Sequence, residues 1–491
     1  MDSQADDARF EPINRQQVVL EPLDIELLIP PEHAARSIWA VLGKLDLSRF
    51  LGEVKAVKGH AGRNRWEPRL LIALWIYAYS RGISSAREIE RQGAYEPAMR
   101  WLTGLKIVNH HTLSDFRVEH GPALQNLFAQ VLAILAMEKL ITLERVTVDG
   151  TKVRACVSKK TFSRASKIEA HLQVAREHLV VLQNDEAEQE KRARNRGARR
   201  RAARERVERL EAALQEVQRL QAEKKHETDK AAQASTTDPD AQFMRNSDHG
   251  LAPSYNVQLA TDAKHKLVVD VAVSKQPSDA DHLLPTMDRL KATHGVLPQQ
   301  MVADGDYTNR AAVMGAASRG VDYYGSWGAG AETPMPYGID AAFQPQAFSY
   351  DEQQNELICP QGKRLTYRSS REDQGMQQHL FVARRQDCQA CPERARCSPK
   401  NAMPKHGRTV TIRIENEIME RYHAKMATEA AKAIYKNRAP VAEFPNAWLK
   451  DKLKWVRLRC RGLAKAQTEA LWTCLTYNLQ RYFKLSCTAT T

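Results

Sequence analysis

The chain has little to tie it to a membrane. Its most apolar stretch, LLIALWIYAY from Leu70, is ten residues long, about half of what a helix needs to span a bilayer, so it reads as a buried helix. The N-terminus, MDSQADDARFEP, is acidic and polar and does not read as a signal peptide. A cytoplasmic protein with no membrane partner is expected. Cysteine is scarce, with eight in 491 residues, four of them clustered late in the chain. In a reducing compartment that cluster points to a metal or to free thiols rather than to a disulfide framework. Acid is short against base: 59 Asp and Glu face 73 Lys and Arg, a net charge of +14. That excess favours a polyanionic partner, nucleic acid above all.

What is present sorts into segments. Residues 1–140 read as an all-helical N-terminal domain, suited to DNA binding and equally to any helical bundle. Pro68 opens a helix that Arg81-Gly82 stops. Ser85-x-x-Glu88 is a capping box, and Thr112-x-x-Asp115 starts a helix running on through LQNLFAQVLAILAMEKL. From residue 141 to 330 the character is α/β. VTVD, YNVQLATD and KLVVDVAVS read as strands, then come a helix from Asp279, the strand QQMVAD, the helix NRAAVMGAASRG and the strand VDYYGSW. Three strands, helix, strand, helix, strand is the order of a ribonuclease-H-like mixed-sheet core. Asp149 and Asp304 fall at the ends of its first and fourth strands, where catalytic groups of open α/β sheets gather. Residues 425–485 read as helices that complete the core, with Leu471, Cys474, Leu475 and Leu479 facing the sheet.

Two insertions interrupt that core. Over 160–235, Ile168, Leu172, Ala175, Leu179 and Leu182, then Val207, Leu210, Leu214 and Val217, repeat at heptad-like spacing. They predict a coiled-coil-like helical hairpin or a dimerisation coil. Between them lie ten basic residues in nineteen from Lys191. Arg192, Arg194, Arg196, Arg199, Arg200 and Arg201 make a candidate DNA-backbone contact; the other reading is a solvated helical face or a hinge at Gly197. Over 331–424 the chain reads as loop and short strand carrying Cys359, Cys388, Cys391 and Cys397. Four thiolates could close a structural Zn²⁺ site in a lobe too small for a core of its own.

The chemistry concentrates in acids. Asp149 in VTVDGTK and Asp304 in MVADGDY are joined by Glu443 in a frame where Tyr435, Arg438, Glu443 and Lys450 follow at spacings of three, five and seven. Two Mg²⁺ or Mn²⁺ ions roughly 3.5–4 Å apart can clamp the attacking and leaving oxygens of a phosphodiester, and a few carboxylates suffice to hold them. Asp149 would bridge both ions, with Asp304 and Glu443 holding one each. Lys450, seven residues after Glu443, shares its helix face. Arg438 and Lys450 would contact phosphates and Tyr435 the DNA end. Asp306 and Asp262 compete for the second position, and Pro440 and Pro445 flank Glu443.

From Trp66 to Phe483 the chain resembles the DDE transposases of bacterial insertion sequences, the group with a Tyr-x-x-Arg…Glu…Lys signature. RWEPRLLIALWIYAYSRGISSAREIER, RWLTGL and HHTLSDFR look like that group's N-terminal helical domain, and VDGTKVRA and VADGDY like its two Asp motifs. ICPQGKRL with CQACPERARC looks like the cysteine-bearing segment of some members, and RGLAKAQTEALWTCLTYNLQRYF like their closing helices. The resemblance implies a catalytic Asp149, Asp304 and Glu443. It also implies binding of inverted terminal repeats, metal-dependent cleavage at the element ends and strand transfer into target DNA. A homo-oligomer on double-stranded DNA and association with the bacterial nucleoid follow from it. Two departures are NHHT, which leaves His110 and His111 without a role, and Asp306, an acid in a turn that is usually neutral. A catalytically inactive DNA-binding relative and a ribonuclease-H-like nuclease that does not join remain as alternatives.

Overall fold

The computed structural model describes residues 14–18, 20, 22–51, 65–184, 193–223, 231–246, 248–327, 338–373, 376–398, 405–414 and 416–488. Among the described residues six α-helices come first: α1 Ala34–Leu42, α2 Pro68–Ser80, α3 Ala86–Gln92, α4 Pro97–Thr103, α5 His110–Glu119 and α6 Gly121–Met137. Pro68 stands at the first turn of α2, and the Ser85 hydroxyl caps α3 by accepting from the Glu88 N–H at 3.4 Å. Glu88 turns to Arg91 and Gln92 instead of back to Ser85, so only half of the capping box forms. The helix expected to start at Thr112 starts at His110, because the Asn109 side chain accepts from the His111 N–H. It also breaks at His120, where Pro122 opens α6 and has no N–H to continue the ladder.

Strand β1, Arg145–Arg154, is followed by β2, Phe162–Ser163, α7, Ala165–Asn184, and α8, Ala193–Ala222. Next come β3, Ala234–Ser235, β4, Gln242–Arg245, β5, Leu251–Asp262, and β6, Val268–Ser274. Helix α9, Leu283–His294, β7, Gln300–Ala303, α10, Arg310–Ser318, and β8, Asp322–Gly325, complete this stretch. The six-stranded sheet has the order β4-β5-β1-β7-β8, with β6 also on β5. Strand β5 lies antiparallel to β1 and to β4 and β6, while β1, β7 and β8 run parallel. The sheet is mixed, as expected. Asp149 does not end its strand, since β1 runs on to Arg154 with Asp149 opposite Leu259 of β5. Pairing with β7, however, stops at Thr147, and that edge is next engaged at Arg154, which bonds Val456 and Leu458. Asp149 sits in the gap.

The first insertion is a helical hairpin. Strands β2 and β3 pair at its base, Phe162 opposite Ser235. Ile168, Leu172 and Ala175 of α7 pack against Val207, Leu210, Ala213 and Val217 of α8. Gly197 lies inside α8, which goes against a hinge there, one of the alternatives to a DNA-backbone contact. The second insertion, expected as loop and short strand, holds more strand than that: a five-stranded antiparallel sheet of β9, Ser349–Asp351, β10, Glu356–Ile358, β11, Arg364–Asp373, β12, Met376–Ala383, and β13, Thr409–Ile414. It has a small core of its own around Leu357, Leu365, Phe381 and Val410, correcting the expectation of none. The short helices α11, Arg385–Gln389, and α12, Arg394–Cys397, lie between β12 and β13.

The closing helices are α13, Glu417–Ala427, α14, Glu429–Lys436, α15, Arg438–Ala447, and α16, Leu463–Thr488. Leu471, Cys474, Leu475 and Leu479 of α16 are buried, as the sequence pattern implies. One hydrophobic core joins α16 to the sheet and to the N-terminal helices: the Trp472 indole donates to the Arg117 carbonyl of α5 at 3.2 Å. Helix α16 also covers the free edge of β6. Asn478 bonds both the N–H and the carbonyl of Val268, and Gln467 bonds the Val273 N–H and the Val271 carbonyl. Asn478→Leu would leave both Val268 groups buried without partners. An expected loss of about 2–4 kcal/mol in urea unfolding follows; an unchanged midpoint would show the edge to be satisfied otherwise. Among the described residues no helix is long and apolar enough to cross a membrane.

Candidate active site

The gap on β1 brings the first two acids together. Asp149 projects from mid-strand, and Asp304 follows the last residue of β7, its carboxylate accepting from the Asp306 N–H at 2.9 Å. Burial, then repulsion from Asp304, pushes the Asp149 carboxyl up to about 6. Asp304 is likewise raised, by burial foremost, while Arg438 draws it back. The rival acids stand elsewhere. Asp306 is exposed. Asp262 accepts from the Thr142, Leu143 and Lys264 N–H groups and so holds two loops.

Helix α15 lies over this floor, packed on β1 and β5. Its Arg438 acts on both acids, and the Arg438 guanidinium stands 5.8 Å from the Tyr435 ring centre. Tyr435 itself packs beside Val302, Tyr324 and Ala431. Lys450 is drawn into the same field: burial lowers its pKa and Asp149 opposes that shift. It sits in a π-helical turn, Trp448–Lys452, that follows Pro445. Pro445 therefore does not end α15; the widened turn comes after it, a feature frequent at functional sites.

Glu443 is exposed on α15 and has no hydrogen bond or ion pair among the described residues. The helix instead touches Asp149 through Asn446, one turn further on, whose amide donates to Asp149 Oδ2 at 2.8 Å. The other amide atom of Asn446, Oδ1, is buried without a partner. Among the described residues no three His, Cys, Asp or Glu stand together as a metal-holding group. The donor set nonetheless suits a hard cation: two repelling, part-buried carboxylates and one orphaned amide oxygen.

Sequence reading missed a further acid. Asp279 accepts from Lys152 Nζ at 3.1 Å, from Asn256 at 2.6 Å and from Gln258 at 2.7 Å. The Gln258 carbonyl in turn accepts from the Tyr307 hydroxyl. Asp279 also raises Asp149. The one signal available was Gly150 directly after Asp149, since a Cβ there would stand 2.6 Å from Asp279 Oδ1. Gly150→Ala should displace that carboxylate and cost about 1–3 kcal/mol of stability, read as a lowered thermal midpoint; an unchanged midpoint would mean that Asp279 moves freely.

The arginine run separates. Arg192 lies outside the described residues, as do the side chains of Arg194 and Arg196 on α8. Arg199 and Arg201 are exposed. Arg200 donates to the Leu182 and Gln183 carbonyls at 2.7 and 3.1 Å and so closes the end of α7. A second basic surface is built from β1 and the stretch before α16, where Arg154, Lys159, Arg457 and Arg461 line one groove.

In the β lobe the four cysteines line one cavity and are unbridged. The Lys363 N–H donates to Cys359 Sγ at 3.3 Å and the Arg408 N–H to Cys388 Sγ at 3.2 Å. Burial raises the Cys388 and Cys397 thiols.

Comparison with known families finds a match at each end of the chain. Residues 358–483 match the family described as Transposase DDE domain, and residues 23–119 match the Transposase domain (DUF772). The first match covers Tyr435, Arg438, Glu443 and Lys450 together with the four clustered cysteines; Asp149 and Asp304 lie between the two matches. No curated protein matches the chain. The resemblance to the DDE transposases of insertion sequences thus rests on two separate transposase-family segments.

Proposed function

We propose that the chain is a DNA transposase that cleaves phosphodiesters at the inverted-repeat ends of its element and joins the freed 3′-hydroxyl to target DNA. The observation that carries this is the pairing of Asp149 with Asp304 beneath α15, with Arg438 acting on both acids and Asn446 and, in the turn that follows, Lys450 acting on Asp149. A sheet of three antiparallel strands extended by two parallel ones supports a ribonuclease-H-like core. The two family matches support the reaction class.

Asp149 and Asp304, with Glu443 supplied by α15, would hold Mg²⁺ or Mn²⁺, which when bound stabilises the attacking and leaving oxygens. Without a cation, repulsion and burial keep Asp149 partly protonated near neutral pH. Asn446 fixes one Asp149 oxygen and leaves the other free. Arg438 and Lys450 place positive charge where phosphate would sit, and the groove of Arg154, Lys159, Arg457 and Arg461 continues that charge along a strand. Exposed Arg199 and Arg201 offer a further backbone contact. The hairpin of α7 and α8 is a candidate surface for a second copy, since two element ends must be cut together.

The exposure of Glu443 favours one other reading, a DNA-binding relative without catalysis. The test is a cleavage and joining assay with DNA carrying both native flanks and Mg²⁺ or Mn²⁺. Cutting at defined ends with joining supports the transposase. Cutting without joining points to a simple nuclease, and end binding without cutting under either metal points to the inactive relative.

A further inference from the structure

We infer that Cys359, Cys388, Cys391 and Cys397 bind one zinc ion, and that Arg408 is the buried counter-charge that holds the resulting tetrathiolate in place. The four thiols come from three separate pieces of chain: the turn after β10, the α11 region, and α12. They meet at a cavity of about 40 Å³, larger than the roughly 10–15 Å³ a single small occupant needs. The Cys388-x-x-Cys391 step is knuckle spacing. Cys359 is wrapped by its own turn, with Gly362 at φ +72° and the Lys363 N–H on the sulfur. Cys388 is wrapped by the Gly407-Arg408 turn, and a Cβ at Gly407 would stand 2.7 Å from its sulfur. Backbone N–H groups aimed at sulfur stabilise thiolate over thiol.

Arg408 makes the stronger argument. It lines the same cavity, is 9% exposed, and its Nε and Nη2 are buried without hydrogen-bond partners. A buried guanidinium with two nitrogens left unpartnered is an uncompensated charge, which is costly. Zinc removes the conflict. On binding, each of the four thiols gives its proton to solvent, and Zn²⁺ with four thiolates carries a net charge of −2 by formal count. Arg408 then faces an anion, and the N–H groups of its unpartnered Nε and Nη2 gain sulfur acceptors. Among the described residues the four thiols do not stand together as a metal-holding group, so loading requires the sulfurs to close in across the cavity. Four sulfur ligands leave no open position, which makes the ion structural. The inference does not rest on the transposase reading, because the lobe's cysteines lie apart from the paired acids.

The test uses the full-length chain purified without added chelator. Metal content is measured, and zinc release is followed with a chromophoric chelator. About one zinc per chain is expected. Replacement by Co²⁺ should give the thiolate-to-cobalt charge-transfer bands of a four-sulfur site, which a carboxylate site cannot produce. Cys388→Ser with Cys391→Ser should abolish both. Arg408→Gln should weaken zinc retention by about 10–100-fold, with Arg408→Lys in between. Should the double variant fail to fold, chelator stripping and reloading of the wild-type chain, followed by thermal midpoint, gives the same answer. A chain that carries no zinc under these conditions, carries iron in its place, or shows a Cys388–Cys391 disulfide overturns the inference. An Arg408→Gln variant that releases zinc at the wild-type rate overturns the role of Arg408.

Discussion

Asp149→Asn should lower metal-dependent cleavage and joining by on the order of 10³-fold or more, while making the metal-free chain more stable at neutral pH. The two effects have one cause. Asp149 is buried beside a second carboxylate, and its carboxyl is pushed from 3.8 up to about 6. Between those values the folded chain keeps a proton that the unfolded chain has lost. Protons bound are then fewer in the unfolded state, so stability falls as pH rises through this window and the penalty is complete above it. Asparagine carries no such charge and still meets the Asn446 amide and the β5 pairing with a side chain of the same shape. A gain of about 1–3 kcal/mol is expected for the variant above pH 7 in the presence of chelator. Adding Mg²⁺ should stabilise the wild-type chain and leave the variant unmoved. Urea unfolding at pH 5 and pH 8, with and without Mg²⁺, reads all of this. A variant no more stable than wild type at pH 8 would mean that the two acids do not repel as their placement implies; residual cutting at the wild-type rate would remove Asp149 from the reaction.

Much of the site was legible because its parts are local. Asp304 follows a four-residue strand, QMVA, directly, and such an acid can be placed from pattern alone. The Tyr435 to Lys450 frame was legible as a fixed spacing in the sequence, although it runs from the end of α14 through α15 into the π-helical turn. What the sequence hid was set by tertiary contact. Nothing in the order of residues says that β1 continues past Asp149, because its continuation GTKVR pairs with β5 more than a hundred residues later. The β lobe was hidden by its outward faces: TYRSSRED on β11 reads as loop, and only pairing with β12 and a few inward residues such as Leu365 make it sheet. The split at His120 was written in Pro122, but the strong apolar run beyond it masked the break. Asn446 was hidden between Glu443 and Lys450, since an amide attracts no notice where acids are sought. Its contact with Asp149 is a direct hydrogen bond between α15 and the first strand.

Asp279→Ala should damage the fold as well as the activity, because its carboxylate is buried in a network of side chains. Asp279 has 13% of its side chain exposed and Lys152 17%, so the pair is largely out of water. Its carboxylate accepts from three side chains, Lys152, Asn256 and Gln258, two of them on β5 and one on β1. Removing it strands a buried ammonium and two amides, and breaking a buried pair from one side costs about 3–5 kcal/mol. Gln258 would also lose the alignment that lets it accept from Tyr307, which follows the Asp304 turn. The strand carrying Asp149 and the turn carrying Asp304 are thereby held by one network that meets at Asp279. Asp279→Asn separates the two roles: it keeps an acceptor for one partner but loses the charge that Lys152 needs. We expect Asp279→Ala to unfold at markedly lower urea, and Asp279→Asn to fall between it and wild type. DNA cleavage under Mg²⁺ should drop in the same order, while binding of the uncut DNA persists in the Asn variant. If Asp279→Ala kept the wild-type unfolding midpoint, Lys152 would have found another anion. If Asp279→Asn cut DNA as well as wild type, the network would serve the fold alone and not the placement of the paired acids.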